Sequence, residues 1–78
     1  MARKTLQQIA RHPEGVSLRE LLAALRSAGW SLRRHGSKHD AWGRDSGGRV
    51  FVPRHRDGIG TGTIRSIAET ALTDDEEG

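Results

Sequence analysis

The clearest signal of the fold is the segment Asp45-Ser46-Gly47-Gly48-Arg49-Val50-Phe51-Val52-Pro53. Its first four residues are typical of a tight turn between two antiparallel strands, because glycine readily adopts the backbone angles that such turns need. The β-branched and aromatic residues that follow predict a strand over 49–53. The sequence before the turn predicts a partner strand over 38–44, so the two segments form a β-hairpin.

A third strand is predicted upstream of this hairpin. Trp30 and Leu32 alternate with Ser31 and Arg33, which is the period of two that a strand requires. The His35-Gly36-Ser37 stretch then turns the chain back toward the hairpin. The three strands together make an antiparallel meander.

Helical patterns flank this meander on both sides. Ser17 and Glu20 form a capping-box pattern, and leucines then recur at helical spacing until Gly29, which predicts a helix over 18–28. A shorter helix is predicted over 5–10. The last predicted helix follows Thr61-Gly62-Thr63, and its apolar face consists of Ile64, Ile67, Ala68, Ala71 and Leu72.

These elements predict an α+β fold in which a short N-terminal helix precedes an α-β-β-β-α unit. Packing the helices on one face of the three-stranded antiparallel sheet would bury all the apolar stripes. We expect a single domain over 1–73, with 1–16 as a helical extension. The acidic residues 74–78 are expected to form a flexible tail.

The composition favours an open site for a polyanion. The chain has 78 residues and no cysteine, so a thiolate metal site and a cysteine nucleophile are excluded, and we expect no cofactor in so small a core. Residues 1–66 hold all 13 Lys and Arg and five of the ten acidic residues, a net charge of +8, whereas 67–78 carry −5. Most of the cations are arginine, whose planar guanidinium matches phosphate geometry.

The sequence predicts neither a signal peptide nor a membrane span. Its first residues, Met-Ala-Arg-Lys, lack an apolar segment, and no apolar run approaches the ~20 residues that cross a bilayer. We therefore expect a cytoplasmic protein with no membrane partner.

Gly36-Ser37-Lys38-His39-Asp40 places one histidine just past a glycine turn and among cationic residues. RNA supplies its own nucleophile, the 2′-hydroxyl, so a nuclease needs a base for that proton and positive charge around the phosphate. Histidine suits the role of base because its ordinary pKa is about 6.5. In a regular strand, His39 and Trp42 lie on opposite faces of the sheet. We expect His39 on the open face with Trp42 toward the helices, although the strand period alone also permits the reverse.

Four short motifs in register resemble the HicA toxin family. They are Gly29-Trp30, Gly36-Ser37-Lys38-His39-Asp40, Val52-Pro53-Arg54-His55 and Gly62-Thr63-Ile64-Arg65-Ser66-Ile67, and the likeness covers roughly residues 17–72. The resemblance implies a fold similar to the double-stranded RNA-binding domain, messenger-RNA interferase activity in a type II toxin–antitoxin system, and neutralisation by a HicB antitoxin. It also implies that His39 is the catalytic histidine of a Gly-Ser-x-His motif. Lys38 departs from the family, which often has histidine or asparagine there.

The remaining predicted site residues surround His39. Phosphate contacts are expected from Lys38 and from Arg33 or Arg34 across the turn. Ser37, Arg54 and His55 complete the predicted RNA-binding set, and His55 is either a second catalytic group or a loop histidine bonded to the backbone. A metal site made of His35, His39, Asp40 and His55 matches no known ligand spacing, so no metal is predicted.

Three functions are compatible with these observations. The preferred hypothesis is a metal-independent endoribonuclease that cleaves mRNA with His39 as general base and is inhibited by a HicB-like antitoxin covering the basic face and His39. The alternative is a non-catalytic RNA- or DNA-binding module of the same fold. A third is an interaction protein whose arginines bind an acidic partner.

Overall fold

The computed structural model describes residues 4–54 and 59–77. Three helices and three strands follow one another as α1 (Leu6–Arg11), α2 (Leu18–Ser27), β1 (Ser31–His35), β2 (His39–Gly43), β3 (Arg49–Pro53) and α3 (Thr61–Glu77). The strands form one antiparallel sheet in the order β1-β2-β3. This confirms the predicted α+β fold, a short helix followed by α-β-β-β-α, which is the arrangement of double-stranded RNA-binding-like domains.

The strand register sorts the side chains into two faces. Asp40 pairs with Val52, and Trp42 pairs with Val50, on what we call the covered face. The open face is formed by the residues between them, namely His39, Ala41, Phe51 and Pro53, together with Arg34 opposite Ala41. Trp42, Val50 and Val52 are only 2–3% exposed, so the helices lie against the covered face. The predicted placement of His39 and Trp42 on opposite faces is confirmed.

The hydrophobic core joins all three helices to the covered face. Its buried members are Leu6, Ile9, Leu21, Ala24, Leu25, Trp30, Trp42, Val50, Val52, Ile64, Ile67, Ala68 and Ala71. Both tryptophans are therefore core residues, as their size in a small domain predicts. The Arg26 guanidinium lies 5.2 Å from the Trp42 ring centroid, and that of Arg44 lies 4.5 Å from the Trp30 ring centroid. These cation–π contacts cover the core at its edge.

The second helix has the ends that its sequence predicts. Ser17 and Glu20 form the capping box, with the Glu20 amide donating to Ser17 Oγ at 3.1 Å. At the other end Gly29 adopts φ +95°, and the Trp30 amide donates to the Leu25 carbonyl at 2.9 Å. This bond ends the helix in a Schellman motif, which explains why Trp30 lies before β1 rather than within it.

The bounds of α1, α2 and β2 each differ from the predictions by one residue at one or both ends, and the larger differences are in β1 and α3. β1 continues to His35 and contains a bulge at Arg33, because Leu32 pairs with Trp42 while Arg34 pairs with Ala41. The last helix begins at Thr61, so the Thr61-Gly62-Thr63 segment predicted to precede it forms its first turn. It runs to Glu77, into the acidic segment 74–78, since no glycine or proline interrupts it between Gly62 and Gly78. The flexibility of 74–78 and the domain limits stay predictions. Of the helices described, none is long and apolar enough to cross a membrane.

Candidate active site

The turn between β1 and β2 carries the histidine that the sequence singles out. Gly36 lies so close to the backbone of the next strand that a Cβ at this position would overlap the His39 carbonyl oxygen. Glycine is therefore required here by lack of space, and its φ is not positive. The tight turn that results puts Ser37 and Lys38 at the tip, immediately before His39.

Arg54 holds this turn from the neighbouring strand. Its amide donates to the Lys38 carbonyl at 3.1 Å, which extends the β2–β3 ladder by one bond. Its Nη1 donates to the Gly36 carbonyl at 2.9 Å, and its Nε lies 3.6 Å from Asp40 Oδ1. One arginine thus contacts the beginning, the tip and the end of the Gly36–Asp40 segment. Part of its hydrogen-bonding capacity is used within the protein, and its predicted contact with RNA stays a prediction.

Asp40 belongs to the covered face and does not orient His39. Its carboxylate lies between Arg54 and His35, whose Nδ1 is 3.3 Å from Asp40 Oδ1. Successive strand residues point to opposite faces, so the Asp40 and His39 side chains diverge. The carboxylate therefore balances charge around the turn and leaves His39 without a carboxylate partner within the described residues.

His39 is exposed on the open face, at the mouth of a groove between β3 and α3. This β3–α3 groove has a volume of about 300 Å³. Its strand wall consists of His39, Phe51 and Pro53, and its helix wall consists of Gly62, Thr63, Ser66 and Ile67. An imidazole in this position can reach a ligand from solvent without any rearrangement of the core.

The predicted cations fall into two groups. Arg33 lies over Gly43 and pairs with Asp45 through a contact of 3.0 Å between Nη2 and Oδ1, at the end of β2 away from His39. Arg34 and Lys38 are exposed, and neither has a hydrogen bond or ion pair with any residue in the described ranges. They are therefore the cations whose charge is available to a ligand near His39.

The sequence-predicted set is brought together only in part. Ser37, Lys38 and His39 share one turn, Arg54 braces it and Arg34 lies on the same face, whereas Arg33 points to the opposite end of the strand. His55 lies outside the described residues. Within residues 4–54 and 59–77 no group of three His, Cys, Asp or Glu side chains could hold a metal ion.

Sequence reasoning missed the groove that adjoins His39. Phe51 pairs with Ala41, and Ala41 lies two residues after His39 on the same face of β2. The strand period, together with the pairing of the hairpin, could therefore have placed the Phe51 and His39 rings on one face. The residues of the helix wall belong to the Gly62–Ile67 motif, but their position beside β3 depends on the packing of the whole core and has no local signal.

Comparison with known proteins identifies the family. The family model described as HicA toxin of bacterial toxin–antitoxin systems matches residues 18–72, which is more than two thirds of the chain. No curated protein sequence and no solved structure matches this chain. The matched segment runs from the start of α2 to the buried face of α3 and includes the Gly36–His39 turn. The chain therefore belongs to the HicA toxins, the toxin components of bacterial toxin–antitoxin systems.

Proposed function

We propose that this protein is a metal-independent endoribonuclease that cleaves mRNA with His39 as the general base. The observation that supports the proposal is the position of His39, exposed on the open face beside two unpaired cations of the described chain and lining the β3–α3 groove. A general base must lie within hydrogen-bonding reach of the substrate hydroxyl, and the exposed His39 side chain is accessible to such a ligand.

In the proposed reaction His39 removes the proton of a ribose 2′-hydroxyl. The 2′-oxygen forms a bond to the adjacent phosphorus, and the bond from phosphorus to the 5′-oxygen breaks, with that oxygen protonated from solvent. The products are a 2′,3′-cyclic phosphate and a 5′-hydroxyl end. No carboxylate contacts His39 among the described residues, so the neighbouring positive charge supplies the electrostatic part of catalysis.

That positive charge comes from the turn and from β1. Lys38 adjoins His39 in sequence, and Arg34 lies across the strand from Ala41 on the same face. Negative charge accumulates on the phosphate oxygens in the transition state, where fixed cations stabilise it more than in the ground state. Ser37, Arg54 and His55 complete the proposed RNA-binding set.

Membership of the HicA family indicates a HicB antitoxin as protein partner. We propose that this antitoxin covers the open face and His39, since the basic body of the chain attracts an acidic surface. A domain with so small a core leaves its site on the surface, where a partner can occlude it directly. Both the proposed mRNA substrate and this partner agree with a cytoplasmic location.

The test is RNA cleavage by the purified protein in the presence of a metal chelator. We compare wild type, His39→Ala and His12→Ala, the last an exposed histidine at the end of α1 that serves as the matched control. Loss of a general base lowers rates about 10²- to 10⁴-fold, so His39→Ala should lose at least a hundredfold while His12→Ala keeps its activity. An all-deoxy oligonucleotide should not be cut.

Each alternative gives a different result. Equal cleavage by His39→Ala and wild type contradicts the assignment of His39. Cleavage of the deoxy substrate excludes the 2′-hydroxyl as nucleophile, and activity that disappears with chelator excludes the metal-independent reaction. Salt-sensitive RNA binding without cleavage supports the non-catalytic module instead.

A further inference from the structure

Phe51 is the most exposed large hydrophobic side chain in the described part of the chain. It is 59% exposed, compared with 40% for Leu32, while the other aromatic residues are buried in the core. A single exposed hydrophobic side chain is common on protein surfaces and needs no explanation by itself. Its location is what distinguishes Phe51, because the ring lies on the open face and lines the same groove as His39.

Phe51 also stands at the junction of two cavities. The β3–α3 groove continues along the strand into a second space of about 220 Å³, lined by Arg49, Phe51, Ser66 and Thr70 among others. Phe51, Ser66 and Ile67 border both spaces. The ring therefore belongs to the strand wall of one elongated depression that begins at His39, and the helix wall opposite carries the hydroxyl-bearing residues Thr63, Ser66 and Thr70.

Gly62 leaves the helix wall of the groove open. It lies in the first turn of α3, does not have a positive φ, and a Cβ built on it would meet no described atom within 4 Å. A helix is less stable with glycine than with alanine, because glycine loses more backbone freedom on folding. No described side chain fills the space beside Gly62, so a molecule in the groove can approach the helix backbone closely.

We propose that the β3–α3 groove binds one nucleotide of single-stranded RNA next to the cleaved phosphate, with its base stacked on Phe51 and its backbone against Gly62. This inference rests on the proposed function and adds the subsite that orients the substrate. An exposed aromatic ring beside unpaired cations is the arrangement by which proteins bind unpaired nucleotides, because every base has a flat face and every phosphate a charge. Arg34 and Lys38 supply the charge, and Phe51 supplies the face.

The experiment measures RNA affinity in His39→Ala protein, so that cleavage does not interfere. A short labelled single-stranded RNA is titrated at constant salt, and binding is followed by fluorescence anisotropy. Phe51→Leu keeps an apolar side chain but removes the ring, and it should weaken binding about tenfold. Phe51→Trp should preserve binding. Leu32→Ala, which shortens the other exposed hydrophobic side chain, is the matched control and should bind as before.

Gly62→Ala tests the helix wall without removing any contact. The variant should have a raised melting temperature, because alanine favours the helix, and at the same time weaker RNA binding, because the new methyl group projects into the groove. Opposite changes in stability and affinity cannot result from partial unfolding. A variant that is more stable and binds RNA equally well overturns the close approach at Gly62.

The failure of this inference is distinct from the failure of the proposed function. Cleavage that does not depend on His39 refutes the catalytic assignment, whereas unchanged RNA affinity in Phe51→Leu refutes the stacking subsite alone. If Phe51→Leu binds RNA normally but loses affinity for the antitoxin, the groove is a protein-binding surface and the proposal is wrong.

Discussion

The two faces of the β2–β3 hairpin share one backbone and differ in almost everything else. On the covered face Trp42, Val50 and Val52 are nearly inaccessible to water. On the open face His39 and Phe51 are exposed, although each is a sequence neighbour of a half-buried or buried residue. Alternation in a strand thus puts stability and the candidate site within one residue of each other.

The two faces differ in what the fold requires of their side chains. The covered face must be apolar and well packed, since small domains have little burial to lose. The open face has no such requirement, so a histidine, an exposed aromatic ring and unpaired cations of the described chain persist there at little cost in stability. The predictions below test this separation.

The largest expected effect is on the free energy of unfolding, when two adjacent residues of β3 are substituted separately. Val52→Ala removes two buried methyl groups and should lower the free energy of unfolding by about 2 kcal/mol. Phe51→Thr, which keeps a high strand propensity, should change it by less than about 0.5 kcal/mol. Denaturant unfolding, followed by fluorescence of the two buried tryptophans, measures both. A large loss of stability in Phe51→Thr would show that the open face also supports the fold.

Most of the fold was predictable because local signals agree with it. The Ser17–Glu20 capping box, Gly29 at the end of α2 and the Asp45–Gly48 turn each specify a boundary from neighbouring residues alone. The strand period also predicted that His39 and Trp42 lie on opposite faces. These features depend on backbone geometry within a few residues, and the residue types at those positions are enough to predict it.

The rest depends on residues that are distant in sequence. No local sequence pattern predicts that Arg54 donates to the Gly36 carbonyl, 18 positions earlier. None predicts that α3 lies beside Phe51 either. The bulge at Arg33 likewise results from pairing between strands. A cation count predicts a basic surface, but it cannot tell Arg54, which braces the turn, from Arg34, which has no partner among described residues.

These two arginines provide the next test of the separation between structure and site. Arg54→Lys keeps the charge but loses the fork that contacts both Gly36 and Asp40, so the turn should loosen and kcat should fall about tenfold with little change in KM. Arg34→Gln should instead raise KM and also lower kcat, because this cation is proposed to contact the phosphate and to stabilise its charge most strongly in the transition state. Loss of the Arg34 charge should also reduce the magnitude of the slope of log RNA affinity against log salt concentration by about 0.7, which is the amount for one phosphate contact with a single strand.

Steady-state cleavage at several salt concentrations separates the two variants, with melting temperatures as a check on folding. A raised KM with unchanged kcat in Arg54→Lys would mean that Arg54 acts only by contacting RNA. Its bonds to the turn would then have no consequence for catalysis.

The smallest effect is expected on the helical side, far from the open face. The Ser17 amide donates to Glu20 Oε1 at 3.0 Å and, with the Lys4 ammonium 3.2 Å from Oε2, holds the pKa of Glu20 below its ordinary value. A carboxylate with a lowered pKa in the folded state stabilises the protein above its unfolded-state pKa, and this contribution disappears as the pH falls through the folded-state pKa. Glu20→Gln keeps the capping hydrogen bonds but removes the charge.

Glu20→Gln should therefore be slightly less stable than wild type at neutral pH and equal to it in acid, once the pH is below the lowered folded-state pKa of Glu20. Glu14→Gln, at an exposed glutamate between α1 and α2, is the control and should show no such convergence. Thermal unfolding across the pH range measures the difference between the variants. RNA affinity at neutral pH should be the same in all three proteins, because this ion pair lies among the helices; a change in affinity would mean that the helical layer and the open face are coupled after all.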